Sequence, residues 1–290
     1  MRAFLTFAAY RLLGGLLGYL PSRVGYWMAG WAGWLLYVLS PQLRHTLTSN
    51  IRHVIGPDAD ESEVEGLVRQ ACLNINKGHY DLFRLRHLSS KEIRDTVQVE
   101  GWENLKQALA EGRGAIVFSA HLGNVDLVMQ LPPLVGIPVV APVQRIEPER
   151  LFQYTLALRQ SHGIRLIPSD ESMIGLFRTL KQGGMIALAA DWRAANSSRA
   201  VEFFGSPAWL PEGPVRVALR TGAPLIPGFA LRLPDDSFLL QIEPPLALPR
   251  TGDEEADVAA GMEMVVETLE RRIAQHPEQW LVSRPIWPPG

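Results

Sequence analysis

The stretch GAIVFSAHLGNVD, from Gly114 to Asp126, decides how the rest of this chain is interpreted. Its apolar run from Ala115 to Phe118 predicts a buried β-strand, and the Leu-Gly-Asn sequence behind His121 predicts a tight turn. The apolar residues that begin after Asp126 predict a helix. In open α/β sheets, ligands bind where strands end and helices begin. The sequence therefore places His121 and Asp126 at a sheet edge where a functional site is expected.

Patterns typical of helices and strands alternate through the rest of the chain after residue 60. Helical patterns cover 61–88, 102–110, 148–161, 171–181, 215–220 and 257–275, and strand patterns cover 97–99, 139–140, 164–167, 185–190, 201–204, 225–233 and 238–242. Such alternation is typical of a parallel sheet covered by helices. We therefore predict an α/β fold with a mostly parallel central sheet flanked by helices.

The first 57 residues differ in charge from the remainder. They hold five arginines and no acidic residue, whereas the remainder holds 23 Lys and Arg (28 minus 5) against 30 Asp and Glu. Two apolar pieces, 3–20 and 24–39, lie in this basic segment, and the second is rich in Trp and Tyr. Aromatic residues of this kind favour a membrane interface, and basic residues favour an anionic membrane surface over nucleic acid as the partner.

We therefore predict two parts, a hydrophobic membrane-associating helical segment over 1–57 and an α/β domain over 58–290. Each apolar piece is shorter than the roughly 20 residues that span a bilayer squarely. One short spanning helix, a helix pair lying at the interface and two buried core helices all remain open at this point. Cys72 is the only cysteine, which excludes a disulfide framework and a cysteine-based metal site.

A carboxylate beside an imidazole fixes the ring tautomer and leaves the other nitrogen free to act as a general base. Five residues on a helix turn through about 500°, so Asp126 can reach His121 only if the histidine lies in the loop and Asp126 in the first helical turn. Ser119 is nearby, but the chain has no G-x-S-x-G nucleophile elbow. A metal site would need more ligands, for which only His162 and Asp191 are candidates, and we expect none.

A histidine–carboxylate pair without a nucleophile fits direct transfer, in which His121 deprotonates a substrate hydroxyl that attacks an activated acyl group. Backbone N–H groups at the start of the following helix would then stabilise the oxyanion. Two other classes remain open. A thioesterase or lipid hydrolase would use water on His121, and a non-catalytic lipid-binding protein would bind lipid without turnover.

The segment HLGNVD has the H-x-x-x-x-D/E form of the glycerolipid acyltransferase superfamily. The surrounding sequence resembles the late (lauroyl/myristoyl) acyltransferase family of lipid A biosynthesis, which includes the phosphatidylinositol mannoside acyltransferases. The resemblance runs through nearly the whole chain. It rests on an ordered set of segments, which are 44–50, Arg145, Arg159 with Gly163, Asp191, 203–207, 213–214, 221–225 and 277–280.

The resemblance implies a membrane-associated O-acyltransferase on the cytoplasmic face of the cell membrane. His121 would be the general base and Asp126 its partner. An acyl-CoA or acyl-carrier protein would be the donor co-substrate, with no other cofactor, and the acceptor would be a hydroxyl of a glycolipid of the lipid A precursor or phosphatidylinositol mannoside type. A lysophospholipid or glycerolipid acyltransferase is the alternative. The predicted substrate-binding residues are Arg145, Asp191, Asn124 and Glu202.

Two positions depart from the pattern of the lipid A enzymes. Relatives often carry an acidic residue two positions after the one that matches Asp191, and here that position is Arg193. The lipid A enzymes commonly have Glu where this chain has Asp126. Together with the segment GPVRVALRTGAPLIP (213–227), these departures favour a glycolipid acyltransferase outside lipid A synthesis.

Overall fold

The structure is a computed structural model that describes residues 2–192 and 198–287. The helices are α1 (Arg2–Leu17), α2 (Ser22–Leu39), α3 (Pro41–Ile55), α4 (Glu61–Leu85), α5 (Ser90–Thr96), α6 (Trp102–Ala110), α7 (Val125–Val128), α8 (Leu131–Leu134), α9 (Glu149–Arg159), α10 (Ile174–Lys181), α11 (Gly213–Thr221) and α12 (Glu254–Gln275), followed by a 3-10 turn (Pro277–Gln279). The strands are β1 (Val97–Glu100), β2 (Ala115–Ser119), β3 (Val139–Val143), β4 (Arg165–Pro168), β5 (Met185–Ala189), β6 (Ser198–Phe203), β7 (Ser206–Pro211), β8 (Leu225–Arg232) and β9 (Phe238–Ile242).

Seven strands form one sheet in the order β1-β9-β8-β2-β5-β3-β4, and β6 and β7 form a separate hairpin. Every neighbouring pair in the large sheet is parallel except β8 and β9, which are antiparallel. The predicted α/β fold with a mostly parallel sheet is therefore confirmed. Strand β2 lies in the middle of the sheet, which explains why its sequence is a continuous apolar run without polar alternation.

Helices cover both faces of the sheet, and side chains alternate between the two faces along β2. Ile116 and Phe118 belong to the core that includes α11 and α12. Ala115 and Val117 belong to the other core, which includes α5, α6 and α7. The first core continues past the ends of β2 and β5 to Leu122 and Ala190, so the loops after these strands rest on close-packed side chains.

Helices α1, α2 and α3 pack along the long helix α4. The backbones of α2 and α4 approach closely, since a Cβ atom added at Gly33 would lie only 2.7 Å from the Cα of Leu73. The other side of α2 carries exposed tryptophans. No helix within the described residues has both the length and the apolarity needed to cross a membrane. The division at residue 57 stays a prediction.

Some elements are absent from the sequence prediction. No element was predicted between residues 88 and 97, but a capping box between Ser89 and Glu92 begins helix α5 there. The second strand of the hairpin, β7, was not predicted, because Pro207 and Pro211 break the strand pattern. Proline is tolerated in this strand because β7 pairs on one side only, with β6.

Candidate active site

His121 and Asp191 lie side by side at the carboxyl edge of the sheet. Each follows the last residue of a central strand by two positions, His121 after β2 and Asp191 after β5. These strands are parallel neighbours, and their register pairs Ser119 with Ala189. Continuing that register by two residues brings the histidine opposite the aspartate. The pairing of two strands thus fixes the distance between the two side chains.

The Asp191 carboxylate is completely buried and is held by three hydrogen bonds. Its Oδ1 lies 2.8 Å from His121 Nδ1, and its Oδ2 accepts bonds from the His121 backbone N–H at 2.7 Å and the Trp280 indole N–H at 2.8 Å. An ionised carboxylate only accepts hydrogen bonds, so Nδ1 carries the proton. The neutral ring then has its lone pair on Nε2, which makes no hydrogen bond within the described part of the chain. The His121 side chain is 47% exposed, so this nitrogen is open to a substrate.

The electrostatics of the pair favour a basic histidine. Attraction to the Asp191 carboxylate raises the pKa of His121 above its ordinary value of 6.5, although partial burial of the ring opposes the shift. Burial alone would raise the pKa of Asp191. The charge of His121 and the hydrogen bonds from His121 and Trp280 outweigh it, and the pKa of Asp191 is lowered. Asp191 is therefore ionised at neutral pH, as an orienting carboxylate must be.

The C-terminal segment holds the loop that carries His121. The Gly123 N–H donates to the Gln279 carbonyl at 2.9 Å, the Leu281 N–H donates to the His121 carbonyl at 2.9 Å, and Leu122 pairs with Trp280 in an antiparallel bridge. Gly123 has a φ of 61°, and a Cβ atom there would lie 2.3 Å from a backbone oxygen of β8. Only glycine fits this conformation and this close approach.

Asp126 does not form the hydrogen bond with His121 that the sequence spacing suggested. As expected, His121 lies in the loop and Asp126 in the first turn of α7. However, the Asp126 carboxylate accepts a hydrogen bond from Arg159 Nε at 3.0 Å, because α9 ends beside it. The Nδ1 position is already occupied by Asp191. Asp126 acts on His121 only through its charge, which contributes to the raised pKa of the histidine. A catalytic role of Asp126 stays a prediction.

Two aromatic side chains for which no role was predicted lie near the Asp126–Arg159 ion pair. His79 of α4 and Tyr10 of α1 lie with their ring centres 6.4 Å apart. Burial and the nearby charge of Arg159 lower the pKa of His79, so this ring is neutral at pH 7. Burial also raises the pKa of Tyr10, and Asp126 adds to the shift. The site is therefore bordered by α1 and α4 as well as by the sheet edge.

Arg145 follows β3 at the same edge of the sheet, but its guanidinium is occupied. It makes ion pairs with the carboxylates of Glu149, Asp170 and Glu171 at 2.9 to 3.1 Å and lies over the ring of Phe152. To bind an anionic substrate group, it would have to exchange these partners. Its substrate-binding role stays a prediction.

Asn124 and Glu202 lie in different surroundings. Asn124 is buried; its amide donates to Asp81 at 2.7 Å, and its oxygen accepts from the Leu127 N–H at 3.1 Å. It caps helix α7 from within the protein. Glu202 is exposed on the β6–β7 hairpin, and no hydrogen bond among the described residues joins it to His121. Substrate binding by either residue stays a prediction, as it does for Asp191.

Ser119 and His162 are engaged elsewhere. The Ser119 hydroxyl donates to the Ala120 carbonyl at 2.9 Å and so is not activated by His121. A ring nitrogen of His162 lies 2.7 Å from the Leu85 carbonyl. No role in the site was predicted for Trp280, whose indole N–H donates to Asp191. A signal for Asp191 as the orienting carboxylate was present, since AIVFSAH (115–121) and MIALAAD (185–191) place the two residues at the same point after each strand.

Comparison with known proteins identifies the family. The model of the bacterial lipid A biosynthesis acyltransferase family matches residues 1–287 of the chain. The chain belongs to this family. The resemblance drawn from the sequence is therefore confirmed, and this member of the lipid A acyltransferase family is an enzyme that transfers acyl groups.

Similar proteins from mycobacteria carry a more specific name. A phosphatidylinositol mannoside acyltransferase of Mycolicibacterium smegmatis is 27% identical over 247 residues, which cover 83% of this chain and 78% of that protein. Phosphatidylinositol mannoside acyltransferases from two strains of Mycobacterium tuberculosis are each 28% identical over 214 residues, covering 71% of this chain and 66% of those proteins. This family member is thus similar to mycobacterial phosphatidylinositol mannoside acyltransferases along most of its length.

The variant Asp191→Asn tests the orienting role of the buried carboxylate. The predicted general base, His121, must be neutral to accept a proton, so the rate of acyl transfer should rise with pH through the pKa of His121. Loss of the carboxylate charge should lower this pKa and move the midpoint of the rise to lower pH. The plateau rate should fall roughly 10²- to 10⁴-fold, because the amide neither fixes the tautomer nor stabilises the imidazolium.

The pH–rate profile is the measurement, and Asp95→Asn, which alters an exposed carboxylate paired with Lys91, is the matched control. An unchanged midpoint in Asp191→Asn would show that Asp191 does not set the basicity of His121.

Proposed function

We propose that this protein is a membrane-associated O-acyltransferase that moves a fatty acyl group from a thioester donor to a hydroxyl of a glycolipid. The observation that carries the proposal is the His121–Asp191 pair, with Nδ1 held by the buried carboxylate and Nε2 open. The proposal also follows from the family, whose members transfer acyl groups to lipid acceptors. The donor is an acyl-CoA or an acyl-carrier protein, which both present the same thioester.

In the proposed reaction, Nε2 of His121 accepts the proton of the acceptor hydroxyl. The hydroxyl oxygen attacks the thioester carbonyl, so that a C–O bond forms and, after the tetrahedral intermediate, the C–S bond breaks. The proton on Nε2 passes to the leaving thiolate, which restores the neutral histidine. Asp191 stabilises the imidazolium while it holds the proton. Because the hydroxyl attacks directly, no serine or cysteine nucleophile is required.

The N-terminal helices support association with a membrane surface. Trp27, Trp31 and Trp34 are 67%, 56% and 55% exposed and follow one another along one side of α2. Successive rings lie 6.3 and 6.1 Å apart. Further large exposed apolar residues of α1, α2 and their connection are Leu12, Leu13, Leu16, Tyr19, Val24, Met28, Leu35, Val38 and Leu39. An apolar surface of this extent, rich in Trp, suits the interface of a bilayer, in which these helices would lie without crossing it.

Helix α1 also borders the site, which supports a lipid acceptor. Helix α1 packs on α9 and α4, with Phe7 and Tyr154 ring centres 6.5 Å apart and Tyr10 and Phe83 ring centres 4.9 Å apart. Tyr10 lies close enough to the Asp126–Arg159 pair for both charges to act on its pKa. A lipid in a membrane beneath α1 and α2 would therefore reach His121 over a short path.

The acceptor that we favour is a phosphatidylinositol mannoside type of glycolipid. The support for this choice is the activity named for the mycobacterial relatives and the Asp at position 126. A lipid A precursor is the other glycolipid acceptor within the family. Since the thioester donors are cytoplasmic, we place the site at the cytoplasmic face of the cell membrane.

Acyl transfer is tested with purified protein, a radiolabelled acyl thioester and lipid acceptors in detergent. The wild type should form an acylated glycolipid, and His121→Ala should slow this by at least about 10²-fold because the general base is lost. His45→Ala, which removes an exposed histidine of α3, is the matched control and should be fully active.

Three outcomes would contradict the proposal. Release of free fatty acid without an acceptor would indicate a hydrolase, and preferential acylation of a lysophospholipid would indicate a glycerolipid acyltransferase. Lipid binding without any turnover would indicate a non-catalytic protein.

Membrane association is tested by sedimentation with vesicles that contain anionic lipid. Replacing Trp27, Trp31 and Trp34 together by Ser should weaken binding at least about tenfold, because each indole that enters the interface contributes on the order of 1 kcal/mol. Trp209→Ser is the matched control, since Trp209 is 53% exposed but lies on the β6–β7 hairpin. Equal vesicle binding by the triple variant and the control would show that another surface of the protein binds the membrane.

A further inference from the structure

A buried carboxylate in helix α4 connects helix α2 to the loop that carries His121. Asp81 is 1% exposed, and three donors from three different elements bind it. Its Oδ1 accepts from the Tyr26 hydroxyl of α2 at 2.7 Å. Its Oδ2 accepts from the Asn124 amide at 2.7 Å and from the guanidinium of Arg232, at the end of β8.

The network extends to the active-site loop on two sides. Asn124 stands three residues after His121 and caps α7 through its oxygen. Arg232 is held through its backbone N–H and carbonyl by the Gln279 side chain, at 2.7 and 3.0 Å. Gln279 in turn accepts the Gly123 N–H through its own carbonyl. The loop is thus fixed from α4 by Asn124 and from the C-terminal segment by Gln279.

The connection to α2 is specific and rigid. The Tyr26 ring lies beneath the Arg232 guanidinium, with 5.3 Å between its centre and the guanidinium carbon. Burial and the neighbouring Asp81 charge raise the pKa of Tyr26, so its hydroxyl keeps its proton and remains a donor. A Cβ atom added at Gly25 would lie 1.9 Å from the Tyr80 ring, so α2 sits too close to α4 to shift independently.

A buried carboxylate that loses one donor becomes poorly compensated, and the free-energy cost falls on the network of its remaining partners. For Asp81, those partners are Asn124 and Arg232, which hold the loop. A change in α2 at Tyr26 therefore acts on a carboxylate whose other two partners hold the His121 loop, although Tyr26 makes no hydrogen bond with the loop itself.

We propose that Asp81 and Tyr26 are positioning residues of the acyl transfer, through which helix α2 sets the geometry of the His121 loop. The inference rests on the function proposed above. It adds that α2, the helix with the exposed tryptophans, helps to hold the His121 loop in position.

Helix α2 provides a matched pair of variants. Tyr26→Phe removes the bond to Asp81, and Tyr37→Phe removes an equivalent bond, also 2.7 Å long, from α2 to the exposed Glu65 of α4. We expect Tyr26→Phe to lower kcat about five- to tenfold, as loss of one hydrogen bond to a charged group allows, with the KM for the thioester unchanged. Tyr37→Phe should remain within about twofold of the wild type, as expected of an exposed surface bond.

Hydrogen exchange of the backbone amides in 121–128 gives a readout that does not depend on activity. Tyr26→Phe should accelerate exchange there, and Tyr37→Phe should not. Equal kcat and equal exchange in both variants would overturn the proposal. If the wild type transfers no acyl group, the proposed function fails, but the exchange measurement still decides the coupling.

Discussion

The hydrogen bonds of the buried Asp191 carboxylate organise the candidate active site of this acyltransferase. A charge removed from water costs several kcal/mol unless donors surround it, and here the ring and backbone of His121 and the indole of Trp280 supply them. The same bonds fix the histidine tautomer and raise its pKa. They also tie together the loop after β2, the end of β5 and the C-terminal segment, so the site depends on the whole fold.

Much of the fold could be predicted from the sequence, because apolar periodicity determines which elements form. The α/β class, the parallel sheet and nearly every long helix followed from that signal. Strand β7 was missed because its prolines are typical of loops. Helix α5 was missed because its 7 residues are too few to show a helical period of apolar residues. Strand order is a tertiary property. The adjacency of β2 and β5, strands separated by about 70 residues in sequence, has no local signal.

The adjacency of β2 and β5 explains which parts of the site could be predicted from the sequence and which could not. His121 and its place in the loop followed from a local motif. The partner was assigned to Asp126 because it is near in sequence, whereas the structure brings Asp191 to Nδ1 and leaves Asp126 to Arg159. Spacing along the chain describes local geometry only. The pairing of strands decides which residue, distant in sequence, lies beside His121. The Asp81 network is likewise invisible in sequence, since its members come from α2, α4, the loop and β8.

Nitrogen NMR of ¹⁵N-labelled histidine across a pH titration tests the central claim most directly, with the His121 signals assigned by their loss in His121→Ala. The account predicts that neutral His121 carries its proton on Nδ1, facing Asp191, and that its pKa lies above 6.5. A neutral ring protonated on Nε2, or a pKa at or below 6.5, would contradict it, because His121 would then be neither oriented nor made more basic by the buried carboxylate.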